Sequence, residues 1–188
     1  MKYRFSLVYD FDATVAEAVA AYLDAEHYSY LHRKYAADYE ILEADEHRMR
    51  IRGSWSLGWL RAGHSNVVEY VPPARFIQYA TRPHPAWLPS IHHLIAVRTD
   101  LRYFTDEARQ VTISQLDVEL DLPFWLWPVR KLLRRQLERL KIEKDEEDIA
   151  MLRRRRMLFG DSTLKAYLAR HQFMLFKDQF REHFGGGN

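Results

Sequence analysis

The stretch RQVTISQLDVELDLPFWLWPVRKLLRRQLERL, residues 109–140, contains the change of period that decides the fold. Up to Leu120 it reads as an extended segment. From Pro128 onward Val129, Leu132, Leu133, Leu137 and Leu140 fall on one helical stripe. The expectation is a helix whose leucines enter the core and whose Arg and Lys side chains stay in solvent.

Working outward, the residues before this switch alternate. YRFSLVYDF (3–11) reads as a first strand, and Asp12 or Thr14 caps a following helix, with Glu17 placed as a capping-box partner of Thr14. Val15, Val19, Tyr22 and Leu23 continue a helical period, which predicts a helix to about His32. The segments 39–55, 64–81, 91–107 and 109–120 then read as strands separated by turns. In the first, Tyr39, Ile41, Met49 and Ile51 alternate with polar residues around an Asp45–Glu46 turn. Past the switch, further helical stretches are expected over roughly 145–159 and 162–183, before a GGGN tail.

Composition narrows the function classes. At 188 residues, 47% apolar and 29% charged, the chain is of globular type and large enough for one sizeable core. Zero cysteines exclude disulfides, thiolate metal sites and a Cys nucleophile. A net charge of +2 gives no global attraction to nucleic acid, and no nucleic-acid motif is present. No secretory signal and no membrane-length apolar run is visible, so a cytoplasmic protein is expected. Aromatic residues make up 14% of the chain, enough to line a cavity as well as fill a core.

An order of strand, helix, antiparallel strands and long C-terminal helix is α+β, and it resembles the helix-grip fold of the START-like and Bet v 1-like superfamily. The resemblance spans roughly residues 1–160, with 161–188 as an additional C-terminal helix packed on the domain or on a partner subunit. It implies a curved antiparallel sheet wrapped around the long helix, with an apolar cavity between them. Trp55, Tyr79 and Phe104 are candidate lining residues, and an apolar or aromatic small molecule is the expected ligand.

LDAEHYSYLHRKY (23–35) adds chemistry. It contains Asp24-x-x-His27-x-x-x-x-His32, with Leu23 and Leu31 preceding the acid and the second histidine. This resembles the signature of the catalytic domain of Rieske-type ring-hydroxylating oxygenases, a helix-grip branch that binds iron through two His and one acid. The resemblance implies His27 and His32 as ligands. It also nominates Asp148, in EEDIAML, as the third, with Asp145 a poorer candidate one turn earlier. Asp24 corresponds to the family's electron-coupling acid, here vestigial. Without cysteine this chain holds no Rieske cluster, and the Asn usual ahead of the acid is absent. In a regular helix a spacing of five leaves the two imidazoles about 140° apart, so convergence requires the helix to break between them.

Three functions therefore stand open: binding of an apolar small molecule without catalysis, a mononuclear metal enzyme using iron or zinc, and metal-free cyclase or aromatase chemistry. Other histidines, at 64, 84, 92 and 93, have no identified partners. Residues 130–156 contain eleven Lys and Arg against six acids, a local net charge of +5. Joined to FWLWP, they form a pattern able to sit on an anionic membrane surface. The apolar face of the last helix makes a homodimer the alternative to packing on its own domain.

Overall fold

The computed structural model describes residues 1–24, 27, 31–32, 37–57, 60–81, 95–160 and 174–185, with backbone alone for 37–39, 54–57, 60–64 and 80–81. β1 (Lys2–Phe11) leads through α1 (Val15–Leu23) to β2 (Ala37–Ala44), β3 (Arg48–Leu57), β4 (Leu60–Val71) and β5 (Arg75–Thr81). β6 (Ala96–Asp106) and β7 (Val111–Asp121) follow, then α2 (Arg130–Phe159) and α3 (Lys177–Phe184). The seven strands form one sheet in the order β1-β7-β6-β5-β4-β3-β2, antiparallel at every junction. Only the β1-to-β2 connection, through α1, crosses from one edge to the other. No helix among the described residues is long and apolar enough to cross a membrane.

Local chemistry accounts for the elements. Tyr3, Phe5, Leu7, Tyr9 and Phe11 point inward along β1 while Lys2, Arg4, Ser6, Val8 and Asp10 face solvent, the period of a half-buried strand. α1 starts on the expected capping box: Thr14 accepts from the Glu17 N–H and Glu17 accepts from the Thr14 N–H at 2.8 Å. Its alanines, Ala18, Ala20 and Ala21, are buried and let the helix approach closely. Regular helix ends at Leu23, nine residues short of the expected His32. The reason is tertiary: Asp24 is extended and bridges Met174, and the Leu175 N–H donates to the Leu23 carbonyl at 3.0 Å. At its far end α2 stops at Gly160, whose φ of 55° favours glycine.

The helical stretches expected from Pro128 onward and over 145–159 are one continuous 30-residue helix, Arg130–Phe159. Its buried residues are Lys141, Asp145, Asp148, Ile149 and Leu152, which corrects the expected leucine stripe. Leu133, Leu137 and Leu140 are half-buried and Leu132 is 55% exposed. The first half of α2 lies beside Tyr3, Phe5 and Trp127 at the β1 edge, where cover comes from one side only.

Two apolar clusters result. One, around Ile95, Val118, Leu120 and Leu122, takes Leu133 and Leu137. The other joins Phe11, α1, Met49, Tyr70, Phe76 and Tyr103 to Ile149, Leu152 and Phe180. Phe180 is fully buried, so the described part of the C-terminal segment packs on this domain's own core. Between the clusters runs a polar belt. The Lys141 ammonium donates to Ser114 Oγ at 2.7 Å and pairs with Asp145 one turn along, both side chains being 6% exposed.

Breaking such a pair leaves an uncompensated buried charge. Asp145→Ala is expected to cost about 3–5 kcal/mol in urea unfolding, while Lys141→Met with Asp145→Leu restores stability to near the parent or above it.

Candidate metal centre

Three elements meet at the belt. α2 supplies Asp148, the end of α1 supplies Asp24, and the segment after α1 supplies His27 and His32. All four are buried, at 4%, 1%, 5% and 1% exposure. α1 ends before His27, and the Leu31 N–H donates to the His27 carbonyl at 2.7 Å, a turn that carries the chain on to His32. The Nε2 atoms of the two imidazoles lie 3.2 Å apart, His32 Nε2 is 3.1 Å from Asp148 Oδ1, and His27 Nε2 is 3.5 Å from the same oxygen. The convergence required by the sequence pattern is thus present, and the helix breaks just upstream of both histidines.

Hydrogen bonding on the far side of each ring sets what converges. His27 Nδ1 lies 2.5 Å from the Asp24 carbonyl oxygen, which can only accept, so Nδ1 carries the proton. His32 Nδ1 lies 2.8 Å from Glu147 Oε2 and donates to that carboxylate. In the neutral rings both Nε2 atoms therefore present lone pairs, and they face a carboxylate oxygen. Asp148 Oδ1 is buried and receives no hydrogen bond of good geometry. Three lone pairs meeting inside a protein repel unless a cation or a proton sits between them.

The triangle has the size of a cation site. Donor separations of 3.1–3.5 Å suit an ion bound at about 2.0–2.2 Å, with angles of roughly 95–115°, between octahedral and tetrahedral values. The donor set, two imidazoles and one carboxylate with the remaining directions open, is that of catalytic zinc and non-haem iron sites. Each histidine also has its orienting partner on the opposite nitrogen.

Electrostatics favour the metal-ready protonation state. Burial holds the His27 pKa down at about 4, against the opposing pull of Asp148. Burial pushes Asp148 upward, but His32, His27 and Lys144 around it outweigh that and hold the carboxyl below its ordinary value. Lys144, whose ammonium lies 5.3 Å from the Tyr22 ring centroid, is lowered by burial. Asp145 is raised by burial and pairs with Lys141, which separates it from the ligand triangle.

Asp24 is an anchor in this arrangement. Its carboxylate receives Arg155 Nη2 at 3.1 Å while its carbonyl holds His27. Glu147 and Arg155 escaped the sequence reading. Glu147 was legible only as the neighbour of Asp148, and Arg155 sits in an RRRR run with nothing to distinguish it.

The cavity candidates fare differently. Tyr79 pairs with Arg98, whose guanidinium lies 5.2 Å from its ring centroid, and Phe104 is 43% exposed. Both lie on the outer face, opposite inward-facing Phe76 and Tyr103, so neither lines an interior cavity. The parity of the strands relative to the core, invisible in a single segment, decides this. The side chains of Trp55 and His64 and residues 84, 92 and 93 lie outside the described residues. Among the described residues a groove at the sheet's end, between Asp45 and Pro72, is open and bordered by charged Asp45, Glu46, Arg48 and Glu69.

No protein-family profile matches the sequence, and no curated protein matches it. Solved structures do match. The Zhui aromatase/cyclase from Streptomyces sp. R1128 aligns with a TM-score of 0.64 at 14% identity, covering 82% of this chain and 96% of its own. The di-domain aromatase/cyclase StfQ of the steffimycin pathway aligns at 0.63 and 14% identity, over 80% of this chain and 50% of its own. Norcoclaurine synthase from Thalictrum flavum aligns at 0.61 and 9% identity, over 81% and 87% of the two chains. A further structure of that enzyme holds dopamine and hydroxybenzaldehyde. At these identities the likeness establishes the architecture: the chain has the helix-grip fold.

The depressed His27 pKa fixes a pH dependence. The unfolded chain takes up a proton near pH 6.5 and the folded one only near 4, so stability is complete above pH 6.5 and falls as pH drops toward 4. Urea unfolding at pH 7 and pH 4 is expected to differ by about 3 kcal/mol more in the parent than in His27→Gln.

Proposed function

We propose that this helix-grip protein handles an apolar, aromatic small molecule between its sheet and α2, and holds a divalent metal on His27, His32 and Asp148. The observation that carries the metal reading is the convergence of two Nε2 atoms and one carboxylate oxygen within 3.1–3.5 Å of one another. Iron or zinc suits the donors. When bound, the metal supplies a Lewis acid with open coordination positions.

The chain's own residues do the positioning. Asp24 and Glu147 fix each histidine's tautomer and ring plane, and Arg155 holds Asp24. The small-molecule part of the reading rests on the fold, two of whose neighbours are named as enzymes of aromatic products and one of which holds two ring-bearing ligands. The Rieske oxygenase-like pattern of Asp24, His27 and His32 favours iron, with electrons supplied from outside this cysteine-free chain. In the second reading, supported by the aromatase/cyclase neighbours, the same three side chains work without metal. His27 or His32 then takes a proton from a bound substrate and returns it to the same substrate at another atom, with Asp148 balancing the transient imidazolium charge.

Metal analysis separates the two. Protein exchanged with Zn²⁺, or with Fe²⁺ under anaerobic conditions, is expected to retain one equivalent per chain. His32→Ala and Asp148→Asn should lose it with unchanged circular dichroism, and Glu147→Gln should weaken it about 10–100-fold. Absence of a stoichiometric ion after both treatments would leave the metal-free reading.

A further inference from the structure

The start of α2 leaves apolar side chains in water. Phe124 is 80% exposed, Leu132 55%, Trp125 53% and Val129 40%. Single exposed apolar residues are ordinary, but here four of them fall within nine positions. Between Phe124 and Arg139 the chain has five basic residues, Arg130, Lys131, Arg134, Arg135 and Arg139, against one acid, Glu138. At 3.6 residues per turn Lys131, Leu132, Arg135 and Arg139 share an arc of about 100° opposite the half-buried Leu133 and Leu137. Three of the basic residues therefore share one side of α2 with the exposed Leu132.

Aromatic rings hold some of these cations in place. The Arg130 guanidinium lies 4.7 Å from the Trp127 ring centroid and donates to the Trp127 carbonyl, and that of Arg134 lies 5.6 Å from the Phe5 centroid. Arg139 pairs with Glu143 at 2.9 Å. Aromatic anchors beside cations, on a helix whose other side packs on the protein, have the composition of an interfacial binding face.

We propose that this end of the molecule docks on an anionic lipid surface. Phe124, Trp125 and Leu132 enter the headgroup layer, while Lys131 and Arg135 meet lipid phosphates and carboxylates. An acidic protein, the competing occupant, would use the charges but has no need of the exposed aromatic pair. The surface is distinct from the His27–His32–Asp148 cluster and does not depend on metal.

The test is sedimentation of the full chain with phosphatidylcholine vesicles, alone or containing about 30% phosphatidylserine. Binding is expected to be at least about tenfold tighter to the anionic vesicles and to weaken with salt. Lys131→Glu with Arg135→Glu, both at exposed positions, should remove that preference. Phe124→Ser with Trp125→Ser should lower binding about tenfold or more and abolish the blue shift of tryptophan fluorescence on vesicles. Equal affinity for neutral and anionic vesicles, or full binding by the Ser double variant, would overturn the proposal. Binding to soluble polyglutamate as tight as to vesicles, indifferent to the Ser variants, would also overturn it and assign the surface to an acidic protein.

Discussion

The fold depends on burying a charged face. α2 covers the sheet with Lys141, Asp145 and Asp148 on its buried side, and each carries a desolvation cost that only a specific partner offsets. Lys141 and Asp145 satisfy one another, with Ser114 Oγ accepting a further hydrogen bond from the ammonium. Asp148 feels the charge of Lys144 one turn earlier and meets His27 and His32 from the segment after α1. The polar belt is thus a constraint on chain path as well as a feature of the interior.

Termination of α1 is in turn a long-range event. Nothing between Leu23 and His27 is a strong helix breaker, and the period of Val19, Tyr22 and Leu23 invites continuation. The C-terminal segment competes for the backbone: Leu175 donates to the Leu23 carbonyl, Met174 bridges Asp24, and Phe180 locks the segment into the aromatic core. Arg155 fixes Asp24 from the other side. Geometry at His27 therefore depends on residues about 130 and 150 positions away. The two histidines, at a spacing of five, come within 3.5 and 3.1 Å of one carboxylate oxygen.

The same belt separates two apolar clusters with different tasks. The aromatic one, with Phe11, Tyr70, Phe76, Tyr103 and Phe180, gives the rigidity that holds the His27–His32–Asp148 cluster. The other is completed by half-buried Leu133 and Leu137 at the sheet edge, and it leaves the opposite side of α2, with Leu132, facing solvent. An apolar residue within a helical stripe is not thereby a core residue. The width of the stripe and the position of the helix over the sheet decide which leucines are covered.

The sequence by itself determined the fold class, since alternation along β1 to β3 and the change of period at Pro128 are properties of neighbouring residues. The Thr14–Glu17 capping box was legible for the same reason, while His27, His32 and Asp148 were grouped by a resemblance alone and their proximity is a fact of the structure. Tertiary structure decided what depends on distant partners. It ended α1 at Leu23, merged the helical stretches after Pro128 into one, and turned Tyr79 and Phe104 outward. It also brought Glu147 and Arg155 to the histidine cluster, because a carboxylate or a guanidinium gains its role from the charge folded against it. Local patterns fix periods and caps. Which buried charge meets which is settled only when the chain closes on itself.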